Sequence, residues 1–243
     1  MSYLEKVYPE IHAGGFSRED STISFYTRVN SLVDSNSHVL DLGAGRGAMH
    51  EMHEGTYKGK LCSLFGRVEK LVGLDVDPAV LQNKWLDAAK CYDGGAFPFS
   101  DNSFDLIYCD WVVEHIDAPL VFSSEVYRVL KPGGWFCART PNKYGYVGLA
   151  TNAIPNFMHA KVVEIVQPGR QEKDVFPTRY RLNTVKEVKR FFPDEKFKVA
   201  VYTLNSEPGY TAENQHLTRL MRVFFRLVPE YFGAQLHIFA QRR

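Results

Sequence analysis

The stretch VLDLGAGRGAMHE, residues 39–51, sets an apolar run ending near Asp41 against three glycines, Gly43, Gly45 and Gly47. The apolar run reads as a buried strand and the residues from about Arg46 as a helix, so the glycines occupy a strand-to-helix turn. Bare backbone lets a ligand come close there, and a helix start offers free N–H groups. With Ala48 in the third place, GAGRGA also satisfies the dinucleotide pattern G-x-G-x-x-A, so the glycines alone leave a pyrophosphate and a cationic ligand open. Asp41 favours the cation. Its carboxylate, two residues before Gly43, would repel a pyrophosphate and attract an ammonium.

Outward from this turn, strand and helix patterns alternate. EKLVGLDVD (69–77) is a second strand, closed by Asp75, which is placed to accept from both hydroxyls of a ribose. DPAVLQNKWLDAA (77–89) reads as a helix opened by Asp77 and Pro78. SFDLIYCD (103–110) is a strand with PLVFSSEVYRVL (119–130) as the helix behind it, and PGGWFCART (132–140) feeds another strand. FKVAVYTL (197–204) and AQLHIFAQR (234–242) complete the strands legible from pattern. Upstream, SREDSTISFYTRVNSLV (17–33) predicts a helix with Ser17 at its N-cap. Such alternation predicts an α/β fold with a doubly wound, mostly parallel sheet and helices on both faces. EGTYKGKLCSLFGR (54–67) lengthens the first crossover and reads as a surface excursion. ENQHLTRLMRVFFRLV (213–228) is an amphipathic helix whose Leu217, Leu220, Met221, Phe224, Leu227 and Val228 form a stripe expected to pack on the core, with dimerisation or membrane contact as its other readings.

Composition narrows the function classes. The chain has 243 residues, a formal net charge of +1 and 23% charged residues, a balance that predicts no nucleic-acid partner. No signal-peptide pattern and no apolar run of membrane-spanning length are present, and the expected location is cytoplasmic. Cys62, Cys91, Cys109 and Cys137 lack C-x-x-C spacing and read as reduced thiols. No metal-ligand motif stands out, so no metal is expected.

Four segments carry a family resemblance: VLDLGAGRG, LVGLDVDPAVL, DGGAFPFSDNSFDLIYCDWVVEHI and EVYRVLKPGGWFCARTPN. In this order, across roughly residues 37 to 142, they resemble the successive motifs of class I S-adenosylmethionine-dependent methyltransferases. The resemblance implies a seven-stranded Rossmann-like sheet of order 3-2-1-4-5-7-6 with strand 7 antiparallel. It also implies S-adenosylmethionine as cofactor. Asp41, Gly43, Ala44 and Gly45 would line the methionine end, Asp75 the ribose and Val76 the adenine face. Asp93 and Gly94 would meet the adenine amino group, and Cys109 would stand where a backbone carbonyl faces the methyl. One domain is expected over 1–243: an N-terminal arm and helix (1–36), a cofactor-binding half (37–142), a cap for the acceptor (143–190), and a C-terminal helix and strands (191–243).

An alcohol acceptor must lose a proton, and His115 in WVVEHI stands near the carboxyl edge where a base is needed. Its other reading is a helix cap or a backbone hydrogen bond. His159 in IPNFMHAK is the second candidate, within the cap. Asp174, Tyr180, Arg181 and Asn183 either bind a polyhydroxylated acceptor or pin the cap to the domain. Gly14-Gly15-Phe16 reads as a flexible arm or as a lid, with Arg18 or Arg28 meeting the cofactor's carboxylate. The expected reaction is methyl transfer to a small-molecule or glycan-linked acceptor, first at oxygen. The sugar preference rests on the likeness of ARTPNKYGY…DVFPTRYRLNT to enzymes of surface-polysaccharide assembly. N- or C-methylation of a quinone-like or natural-product metabolite is the alternative. An NAD(P)-dependent oxidoreductase and a non-catalytic cofactor-binding module are the readings from other classes, and a homodimer stays open.

Overall fold

Seven strands form one sheet in the order β3-β2-β1-β4-β5-β7-β6. They are β1 (His38–Leu42), β2 (Lys70–Asp75), β3 (Ala88–Cys91), β4 (Phe104–Asp110), β5 (Leu130–Pro141), β6 (Phe197–Leu204) and β7 (Gln235–Arg242). The computed structural model describes residues 3–146, 148–149, 177–209 and 211–243. Pairing is parallel from β3 through β5, and β7 runs antiparallel to both β5 and β6. This is the Rossmann-like arrangement expected from the resemblance.

Among the described residues the helices with full bounds are α1 (Tyr3–Val7), α2 (Ser21–Ser31), α3 (Ala48–Met52), α4 (Tyr57–Cys62), α5 (Pro119–Val129), α6 (Val185–Phe191) and α7 (Gln215–Leu227). The period of two along the strands divides the core into two layers. Leu40, Leu42, Ile107, Phe136 and Ile238 pack against Phe122 and Val126 of α5 and Val188 of α6. Val39, Leu106, Cys137 and Phe239 face the other way, against Phe25, Tyr26 and Val29 of α2. Asp41 shares the α2 side with Val39, and Tyr108 and Asp110 share it with Leu106, so chemistry-bearing side chains gather on one face.

Several local expectations are corrected. Asp20, not Ser17, caps α2, its carboxylate accepting from the N–H groups of Thr22 at 2.8 Å and Ile23 at 3.3 Å. The apolar periodicity after Asp77 yields only a 3₁₀ turn, Pro78–Gln82, and the chain then enters β3, an edge strand. The excursion at 54–67 contains α4, capped by Thr56, and buries Cys62 and Leu64 in the layer under α2. The stripe of α7 is turned outward: Leu220 is 65% exposed and Leu227 78%, whereas Thr218 and Phe225 face the body.

Candidate functional site

The glycine turn leaves the carboxyl end of β1 at the centre of the sheet, beside the ends of β2 and β4, where α/β sheets bind ligands. Gly43 adopts φ +78°, and a Cβ there would stand 2.2 Å from Val112 Cγ2, so only glycine fits beneath Val112. Gly45, at φ +49°, is different: a Cβ would meet no atom within 4 Å. Its bare backbone borders open space, as a ligand cradle requires. Asn83 fixes the turn by donating from Nδ2 to the carbonyls of Ala44 at 3.2 Å and Gly45 at 3.1 Å. The sequence gives no sign of this role, because Asn83 sits in what reads as a helix.

Asp75 binds the turn from the other side. Its Oδ2 accepts from the Gly45 N–H at 2.8 Å and its Oδ1 from the Asp77 N–H at 2.9 Å. A carboxylate has about four lone-pair sites, so both oxygens keep accepting capacity for ribose hydroxyls. Asp75→Ala is expected to weaken S-adenosylmethionine binding by roughly 1.5–3 kcal/mol, about 10- to 150-fold in Kd. Unchanged affinity by calorimetry would remove Asp75 from the cofactor site.

Asp41 is buried, and burial pushes its pKa up to about 7; the Tyr108 hydroxyl acts against this, while Asp110 and Asp75 add repulsion. Asp110 is neutralised by the buried Arg139, whose Nη2 lies 2.6 Å from its Oδ2. Asp41 has no such ion pair among the described residues. A buried carboxylate with no ion pair among the described residues, beside an open backbone cradle, fits a cationic ligand, and the site therefore suits S-adenosylmethionine.

Val76 is 46% exposed, so its side chain is available as a platform. Gly94 lies next to it, since a Cβ on Gly94 would be 3.8 Å from Val76 Cγ1. Asp93 turns the same loop by accepting from the Gly95 N–H at 2.9 Å. Asp75, Val76, Asp93 and Gly94 thus follow one another along the ends of β2 and β3. Cys109 is fully buried, and burial first of all raises its thiol pKa, which makes it a packing residue and not a nucleophile.

His115 stands in the 3₁₀ turn Val113–His115, directly after Val112, the residue that covers Gly43. Its Nδ1 lies 3.1 Å from the Pro177 carbonyl and its Nε2 3.9 Å from Glu114 Oε1. Glu114 is buried, its Oε2 accepting from the Thr140 hydroxyl at 2.9 Å. Asn183 is buried too and donates to Thr140 Oγ1 and to the Pro141 carbonyl, while Arg181 donates to the Asp117 carbonyl. Arg179 and Tyr180 donate their N–H groups to the Glu114 carbonyl. Of the two readings for this segment, pinning is the one these contacts display. His159 and Asp174 lie outside the described residues. At the N-terminus Phe16 stacks on Tyr57, Arg18 pairs with Glu10 and Arg28 lies over the rings of Tyr202 and Phe239. Among the described residues no three His, Cys, Asp or Glu side chains form a metal-ligand group, and no helix is long and apolar enough to cross a membrane.

Residues 40–138 match the family model described as "Methyltransferase domain". Over 116 residues the chain is 27% identical to a demethylmenaquinone methyltransferase of Symbiobacterium thermophilum, covering 44% of this chain and 43% of that protein. A shorter match, 46% identity over 48 residues, joins 20% of this chain to 8% of the biotin biosynthesis bifunctional protein BioHC of Teredinibacter turnerae. The chain thus spans less than half the length of these curated relatives. Among solved structures, a SAM-dependent methyltransferase of Thermotoga maritima, described as a possible histamine N-methyltransferase, superposes with a TM-score of 0.57. It covers 97% of this chain and 93% of its own at 14% identity, a likeness of fold. Sheet order and the match over residues 40–138 agree: the chain carries a methyltransferase domain on a Rossmann-like methyltransferase fold.

Proposed function

We propose that the protein moves a methyl group from S-adenosylmethionine to an oxygen of a small-molecule or glycan-linked acceptor, with His115 receiving the acceptor's proton. The cofactor supplies a methyl on a sulfonium, an already activated leaving group, so no covalent catalyst is needed from the protein. The chain's residues hold, align and exclude water, which is catalysis chiefly by proximity. Asp41 meets the ammonium, the Gly43–Gly45 backbone the methionine end, Asp75 the ribose, and Val76, Asp93 and Gly94 the adenine. The observation that carries this reading is the buried Asp41 carboxylate, without an ion pair among the described residues and beside the open turn. The same carboxylate disfavours a nicotinamide dinucleotide, whose pyrophosphate would lie against it.

The choice of oxygen rests on His115. The Pro177 carbonyl can only accept, so the contact at 3.1 Å requires Nδ1–H and leaves the basic lone pair of the neutral ring on Nε2. His159 is held in the same proposal as a second base. His115→Ala is expected to lower kcat about 100- to 10,000-fold while sparing cofactor affinity. S-adenosylhomocysteine release against a panel of sugars, phenols and quinols is the assay. An unaltered kcat assigns His115 to structure, and cofactor binding without release for any acceptor marks a non-catalytic module. The likeness to a demethylmenaquinone methyltransferase supports a second reading, transfer to carbon of a quinone-like ring. A stabilised carbanion demands less of a base, so there the His115 variant keeps its rate.

A further inference from the structure

α7 is built the wrong way round for a helix that only packs. Thr218, Arg222 and Phe225 face the body: Thr218 and Phe225 are buried, and Arg222 pairs with Glu19 at 2.9 Å. The opposite face carries Leu220, Val223, Phe224 and Leu227, each at least half exposed, with Tyr231 and Phe232 exposed just beyond. Stacking these outward leaves the apolar side unburied, which costs free energy unless something covers it. Arg219 and Arg226, one heptad apart and exposed, flank the stripe on Val223's side, and the helix contains three arginines and no carboxylate.

We propose that this face seats the protein on an anionic lipid bilayer. A convex apolar stripe edged by arginine and aromatic side chains is the pattern of a helix lying in the membrane interface. At 13 residues it is about 20 Å long, too short to span the bilayer and suited to lying flat. A second copy is the poorer occupant: antiparallel pairing about a two-fold axis sets the arginine flank of one helix against that of the other. The helix also sits at the carboxyl edge of the parallel strands, the edge that carries the glycine turn. The Asn205 side chain, just past β6, donates to the Phe225 carbonyl at 3.2 Å, and Tyr146, just past β5, packs its ring 5.1 Å from that of Phe225. Membrane seating there presents the site to a lipid-borne acceptor, a consequence that rests on the methyltransferase reading above.

The test is co-sedimentation of the full chain with vesicles of phosphatidylcholine alone or mixed with phosphatidylglycerol. Wild type is expected to partition onto the mixed vesicles, less so at high salt. Leu220→Asp with Leu227→Asp is expected to lower partitioning at least about tenfold, and Arg219→Glu with Arg226→Glu to abolish the preference for phosphatidylglycerol. All four positions are exposed, and calorimetry with S-adenosylmethionine checks that both variants stay folded. Absence of vesicle binding, or equal binding by wild type and the leucine variant, overturns the proposal. So does a wild-type dimer that the leucine variant dissociates in light scattering, which gives the face to a second copy. If wild type binds vesicles and not S-adenosylmethionine, membrane seating stands and the methyltransferase reading falls.

Discussion

Asp41→Asn is expected to make the free protein more stable at pH 8 and a poorer binder of S-adenosylmethionine. With a folded pKa of about 7 against a reference value of 3.8, Asp41 keeps a proton in the native state that the unfolded chain has lost across this interval. Stability owed to this group is therefore full below about pH 4, falls as pH rises through the window, and is lost above 7. The asparagine carries no such dependence. Subtracting wild-type from variant stability in urea melts should give a difference that grows from near zero at pH 4 to about 4 kcal/mol at most at pH 8. A cation held against Asp41 lowers its pKa, so in wild type binding releases a proton below pH 7 and affinity climbs with pH to a plateau. In the variant that slope vanishes, and Kd rises by roughly 10- to 150-fold through loss of a charge-assisted bond. Calorimetry in buffers of differing ionisation enthalpy reads the proton. A flat wild-type profile would show that no cation meets Asp41.

The second large effect belongs to Arg139, 2% exposed. It clasps Asp110 through Nε at 2.7 Å and Nη2 at 2.6 Å, and its Nη1 donates to Ser21 Oγ at 3.0 Å and Thr22 Oγ1 at 2.8 Å. Arg139→Met leaves the Asp110 carboxylate, only 10% exposed, without its cation and the first turn of α2 without its anchor. The expected loss is about 3–5 kcal/mol, lowering Tm by about 6–20 °C for a chain of this size. Adding Asp110→Leu removes the orphaned charge, and most of the loss should return. If the double variant melts as low as the single one, the pair contributes something other than mutual neutralisation.

Six of the seven strands were legible because each is five residues or longer, rich in apolar side chains and bounded by turn residues. β3 was not: Ala88–Cys91 is four residues long, lies at an edge and shows no buried alternation, while the apolar spacing before it imitates a helix. The missing strand came from the family resemblance. Periodicity revealed the apolar stripe of α7 but not its direction, because a pattern records that a face exists and not what meets it. The same division holds at the site. Asp41, the glycines and Asp75 are read locally, since the turn that uses them lies within or at the end of its own strands. Asn83, Val112 and the Asp110–Arg139 clasp join positions tens of residues apart, and only strand order brings them together.

Among the described residues β6 touches the sheet through β7 alone, although it precedes β7 in the chain. Its eight residues therefore have no docking template until a later-made segment has slid between them and β5. Assembly at this end of the molecule runs against the order of synthesis, and the last-arriving strand acts as a keystone: a nascent chain halted before it would carry β6 as an unpaired ribbon, open to pairing with a neighbour's edge.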